Sequence, residues 1–161
     1  MSQNSFVILK SDVRRELENV HRLVDEAEEW RPRLSDWPHT VRVRTAGGIL
    51  HDFYSAVERI FRYIATEIDD DLPSGSSWHI QLLQRMATDL ETIRPAVLDR
   101  TIARQLGEYL RFRHVFRNMY GFDLEWERCN KLLVELPETF ARLKEQMNAF
   151  LDFLATAAHQ N

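Results

Sequence analysis

The sequence predicts an all-α protein, an antiparallel bundle of five or six helices, and three observations predict it. Apolar residues recur at three- and four-residue spacing in one segment after another. No stretch alternates with period two, and no hairpin dipeptide joins two such stretches. Gly and Pro number 5 each while 29% of residues are charged, a balance that suits helices. At 161 residues the expectation is one domain, 1–161, large enough to bury a real core.

The first helix is predicted over residues 11–34. Ser11 and Asp12 supply start chemistry, and Val13, Leu17, Val20, Leu23, Val24 and Ala27 recur at helical spacing. Trp30 ends the run and Pro32 interrupts it. Glu18 and His21 stand at the Glu-x-x-His spacing of carboxylate di-metal bundles, but no second pair accompanies them, so a surface pair is the reading. After a connection over 35–40, a long second helix is expected from about Val41 to Ile68, with Val43, Ile49, Leu50, Phe53, Val57, Ile60, Phe61 and Ile64 on a broad apolar face. Gly47 and Gly48 lie inside it. Together they cost about 2 kcal/mol relative to alanine, so they should mark a kink or the close approach of another backbone. His51 and Asp52 read as a surface pair, the alternative being an orienting pair near a basic site.

Asp69, Asp70 and Asp71 open the clearest loop of the chain. They stand at a helix end where the dipole disfavours them and lack the spacing of a calcium loop, so a solvated turn is expected. A third helix follows Ser76 or Ser77, from Trp78 to Ile93, with Ile80, Leu83, Met86, Ala87 and Leu90 as its stripe and Pro95 beyond its end. Asp99 caps the fourth, whose apolar positions Ile102, Leu106, Tyr109 and Leu110 lead to Gly121. A last segment starts near Asp123, and Pro137 should break or kink it.

Composition bounds function. A net charge of −4 argues against a general nucleic-acid coat protein while leaving room for a local basic site. The single Cys129 excludes an internal disulfide and implies a reducing, cytoplasmic setting. It reads as a small core residue. The N-terminus lacks the basic start and long apolar run of a signal peptide, and no apolar stretch is long enough to span a membrane. The histidines at 21, 39, 51, 79, 114 and 159 form no metal-ligand pattern with one another or with Cys129, so neither a metal nor another cofactor is expected.

One stretch reverses the local charge. Residues 109–122 hold Arg111, Arg113, His114 and Arg117 and no Asp or Glu. On a helix, Phe112, Val115, Phe116 and Met119 fall in one arc facing the core, and Arg113, His114, Arg117, Asn118 and Tyr120 fill the opposite side. Arginines four apart repel by a few tenths of a kcal/mol, so a carboxylate or a bound anion should offset them. A solvated face is the ordinary meaning of a charge run. Against it stand the missing acids, the aromatic hydroxyl and a helix stop at Gly121. Arginines clamp phosphate and stabilise charge developing on it, and a histidine moves protons near neutral pH. The set suits metal-independent RNA cleavage, in which a ribose 2′-hydroxyl attacks its own phosphate.

At these residues the chain resembles the HepT-like group of the HEPN superfamily, helical-bundle proteins many of which are ribonuclease toxins of toxin–antitoxin pairs. The group's motif is Arg, four residues, His, one residue, Tyr, with a polar residue commonly after the Arg. Arg113 takes the Arg place, His114 the polar place and Tyr120 the Tyr place, whereas Asn118 stands in the His place. Residues 50–61, 78–83 and 109–118 also resemble the group, within a likeness running from about 40 to 155. The resemblance implies an endoribonuclease whose composite cleft forms across a homodimer, with RNA as substrate and a nucleotidyltransferase antitoxin as partner. It makes Arg113, His114 and Asn118 the catalytic candidates, with Arg117 and Arg111 beside them to hold phosphate. It also makes Tyr120 an adenylylation candidate, since AMP there would compete with RNA for the same cations. The Asn118 departure leaves three alternatives: His114 carries the proton chemistry, the chain is a catalytically degenerate nucleotide- or RNA-binding module, or the Asn was introduced to tame a toxin. A structural protein whose basic face meets an acidic patch is the third class of function.

Overall fold

The computed structural model describes residues 2–159, so Met1, Gln160 and Asn161, at the two ends of the expected 1–161 domain, lie outside the described residues. Five α-helices follow in order: α1 (Gln3–Leu34), α2 (His39–Glu67), α3 (Trp78–Met86), α4 (Arg100–Asn118) and α5 (Trp126–His159), with a 3-10 turn at Gly121–Asp123 before α5. There is no strand among the described residues, as an all-α bundle requires. α2 is the central element and touches every other one. Its position follows from its composition. Fourteen of its 29 residues are buried, Phe53, Tyr54, Ile60 and Phe61 among them, and an apolar face that broad is stable only when covered on several sides.

Several boundaries differ from the sequence expectation. α1 begins eight residues earlier, at Gln3, because Ser2 accepts the Ser5 N–H as an N-cap, and it carries Pro32 through to Leu34. α3 stops at Met86, seven residues short of Ile93. The Met86 carbonyl accepts the N–H groups of Val97 and Leu98 at 2.8 and 3.0 Å, so the returning chain satisfies the helix end and no further turn forms. Asp99 caps α4 through the Ile102 N–H at 2.8 Å. That bond, together with the Gln146 side chain, holds its carboxyl below the usual carboxylate range. Pro137 does not divide the last segment. α5 runs through it as one helix, so the count is five. α4 supports that passage: the Tyr109 hydroxyl donates to the Leu132 carbonyl at 2.9 Å, and the Gln105 amide donates to Thr139, whose hydroxyl donates to the Glu135 carbonyl.

The acidic loop after α2 is not simply solvated. Arg94 donates from Nε and Nη2 to the two Asp69 carboxylate oxygens at 2.6 and 2.7 Å. Both side chains are almost fully buried, a bidentate clamp between the loop and the segment ahead of α4. Asp71 pairs with Arg85, and Asp70 takes a left-handed conformation at φ 51°. Cys129 is buried in the core, and burial pushes its thiol up to about 11. No described helix is long and apolar enough to cross a membrane.

Gly47 and Gly48 sit in an unbroken α2 and have different roles. A Cβ on Gly47 would lie 2.5 Å from the Phe116 ring of α4, so the close approach predicted for this pair is to an aromatic ring rather than to a backbone. A Cβ on Gly48 would meet nothing within 4 Å. The two alanine variants therefore part in sign. Gly48→Ala gains about 0.5–1 kcal/mol of helix propensity, whereas Gly47→Ala loses more than it gains, a net destabilisation of about 1 kcal/mol as Phe116 is displaced. Urea unfolding of the two variants beside the unaltered chain measures both signs.

Candidate functional site

α4 brings its basic residues to two different surroundings. Arg113 is not on a solvated face. It is 2% exposed and points into the bundle, where its guanidinium forks onto Glu58 of α2: Nη2 donates to Oε2 at 2.8 Å and Nη1 to Oε1 at 3.2 Å. Nη1 also reaches the Ser55 hydroxyl at 3.3 Å, and the guanidinium carbon lies 4.9 Å from the Tyr54 ring centroid. The Tyr54 hydroxyl is buried with no hydrogen-bond partner among the described residues. Burial, with the Glu58 charge adding to it, raises its pKa far above the ordinary phenol value.

His79 of α3 completes this cluster. Its Nδ1 lies 2.7 Å from Glu58 Oε2 and 3.0 Å from Arg113 Nη2, and its ring packs against Trp78 at 3.7 Å. One nitrogen cannot donate to the carboxylate and accept from the guanidinium at once. The 2.7 Å approach to a carboxylate needs a hydrogen between the two atoms, so we assign the proton to Nδ1. Three helices thus meet through one carboxylate.

The second surrounding is open. A groove of about 1240 Å³ lies between α3 and α4, with Ser76, Ser77 and Arg117 among its lining residues. Arg100, Arg104, Arg111, Arg113, His114 and Arg117 line it from α4, Arg128 from α5 and His79 from α3, and Asp89 is its one acidic wall residue. Arg111 pairs with Glu108 one turn back. Arg117 pairs with no carboxylate among the described residues. Its Nε donates instead to His51 Nε2 at 3.2 Å, and His51 Nδ1 faces Asp52 at 3.3 Å. His51 and Asp52 thus stand beside Arg117, where the His51 ring meets Phe116 at 5.6 Å, the place that the alternative reading of this pair expected. Of the three arginines, two have a counter-charge, Arg111 in Glu108 and Arg113 in Glu58, while Arg117 has the His51 ring as its hydrogen-bond partner.

Asn118 is the last residue of α4, and its amide donates to the His114 carbonyl at 2.7 Å. Met119 turns extended at φ −121° and ψ 152°, so the helix ends three residues before Gly121. Met119 is 44% exposed rather than core-facing. Tyr120 leaves the helical face on which it was expected. It lies in the loop, 71% exposed, its ring stacked on Phe122 at 5.2 Å and 8°. Gly121 is needed for contact rather than for stopping the helix, since a Cβ there would lie 2.6 Å from Arg44.

Glu58 and His79 are the site residues that the sequence analysis missed. Glu58 had a visible signal, a carboxylate one residue after Val57 and two before Ile60 within the broad apolar face of the second helix. His79 had a weaker one, its place in the Trp-His-Ile-Gln run at 78–81.

A family model described as HepT-like protein matches residues 45–154, a span that includes α2 from its glycines onward, α3, α4 and most of α5. No curated protein and no solved structure matches the chain.

The Glu58–Arg113 pair sets a stability prediction. Glu58→Ala leaves a buried guanidinium without its counter-charge and is expected to cost about 3–5 kcal/mol. The double variant Glu58→Leu with Arg113→Met, which removes both charges at similar volume, is expected to recover most of that loss. Chemical denaturation of the single and double variants provides the comparison. A double variant as unstable as the single one would mean that the pair is not the source of the loss.

Proposed function

The chain belongs to the HepT-like family, and from that premise we propose that it is the toxin component of a HEPN–nucleotidyltransferase pair, a metal-independent endoribonuclease acting as a homodimer. The observation that carries this proposal is the groove between α3 and α4, where arginines and two histidines face one space against a single acid. A chain with net charge −4 has gathered its cations there, and a polyanion is the ligand such a groove attracts.

The roles follow from exposure. Arg117, oriented by His51 and Asp52, and Arg111 at the exposed edge hold the phosphate. His114, exposed on the groove wall, transfers a proton. Arg113, nearly buried at the groove wall, acts through Glu58 and His79. Asn118 positions the end of α4 through its bond to the His114 carbonyl. A nucleotidyltransferase partner would find the Tyr120 hydroxyl accessible. AMP on Tyr120, three residues after Arg117 along the chain, would set a negative group against the same cations and switch the site off.

A catalytically degenerate RNA- or nucleotide-binding module is the second reading, and the engagement of the Asn118 amide within its own helix favours it. The two separate on turnover. For the ribonuclease, the purified chain cleaves single-stranded RNA in the presence of a metal chelator and leaves 2′,3′-cyclic phosphate ends. His114→Ala lowers the rate about 10²-fold or more, and Arg117→Ala lowers it about 10²-fold. Salt-sensitive RNA binding without any cleavage, including in Asn118→His, would assign the binding module instead. Arg113→Ala is the less informative variant, because loss of its ion pair unsettles the fold itself.

A further inference from the structure

We propose that His79, held by Glu58, is the proton acceptor of the cleavage reaction, an inference that rests on the ribonuclease reading above. Transfer of RNA to its own 2′-oxygen needs two proton movements, one away from the attacking hydroxyl and one toward the leaving oxygen. His114 can supply only one of them at a time. Asn118, in the motif's histidine place, can supply neither.

His79 has the features of an oriented base. The Glu58 carboxylate is 9% exposed and is itself fixed by the fork from Arg113. It meets Nδ1 at 2.7 Å, which sets the tautomer and leaves the lone pair on Nε2. The Trp78 ring packs against it at a tilt of 31° and limits its rotation. The ring is 30% exposed and lines the same groove as His114 and Arg117. Among the described residues Nε2 has no hydrogen-bond partner. A carboxylate that holds a histidine by one nitrogen and leaves the other open to substrate is the arrangement by which a general base is aimed. In this view Arg113 is a positioning residue that acts through Glu58.

The step balances as follows. The ribose 2′-oxygen bonds to phosphorus and its proton passes to His79 Nε2. The phosphorus–O5′ bond breaks with its electron pair on O5′, and that oxygen takes a proton from the His114 imidazolium. The products are a 2′,3′-cyclic phosphate and a 5′-hydroxyl. The two histidines end with exchanged protonation and are reset through water.

The test uses the full chain with two single-stranded RNA oligonucleotides, one ordinary and one with sulfur replacing the bridging 5′-oxygen at the cleavage site. A thiolate leaves without needing a proton, so the second substrate bypasses the acid but not the base. His79→Ala is expected to lower cleavage about 10²-fold or more on both substrates. His114→Ala is expected to be slow on ordinary RNA and close to the unaltered chain on the sulfur substrate. His79→Asn keeps a donor toward Glu58, so it supplies the same comparison should the alanine variant unfold. If the unaltered chain cuts RNA and a folded His79 variant stays within about threefold of it, the inference is overturned and the ribonuclease proposal stands. A His79 variant restored by the sulfur substrate would overturn the base assignment. No cleavage by the unaltered chain would overturn both proposals.

Discussion

The site depends on one buried ion pair, Glu58 to Arg113. Removing two charges from water is expensive, and their attraction repays it only when geometry is close and the remaining hydrogens find partners. Here the fork is bidentate, Ser55 takes a further guanidinium hydrogen and the Tyr54 ring faces the cation. A hydrophobic pair of the same volume would hold the helices together equally well. It would not hold His79. The pair therefore contributes geometry more than stability: it fixes the rotation of α4 against α2 and presents one carboxylate oxygen to α3.

Two further contacts make that geometry hold over the length of the groove. At one end, the notch at Gly47 admits the Phe116 ring, which sets the last turn of α4 against α2 and brings Arg117 to His51. At the other, the buried clamp of Arg94 on Asp69 ties the loop that leads into α3 to the segment that leads into α4. The groove walls are thus positioned by contacts lying behind them, and the residues facing the open space, Arg117 and His114, carry little of the packing.

Much of the fold was legible because it rests on periodicity. The apolar runs of α1, α2 and α4 and the Asp99 cap lie where the spacing puts them. Arg113 went astray for a specific reason. Its arc was drawn from residues 112–119 alone, whereas the buried positions of α4 are Ile102, Leu106, Tyr109, Leu110, Phe112 and Arg113. Carried forward from 102, 106 and 109, the four–three spacing falls next on 113, so the arginine occupies a core position. Its partner is 55 residues away, beyond the reach of any local pattern. The same holds for Asp69, whose partner Arg94 is 25 residues on. Tyr120 was misplaced by treating Gly121 as the helix stop. The chain turns at Met119, without a left-handed residue.

Asn118 bears most directly on how such a site could work. It stands where the helix ends, and its amide donates to the carbonyl four residues back, which folds the side chain onto the last turn of its own helix. A groove lacking a histidine at 118 can still move two protons if other elements bring imidazoles to it, and α3 and α4 each bring one. Separate elements also give the two rings separate surroundings. His79 is bound to a buried carboxylate and packed against an indole, whereas His114 faces solvent with its backbone carbonyl engaged by Asn118. The two rings thus reach one groove from different walls and with different partners, one fixed by a buried carboxylate and one free to turn in solvent.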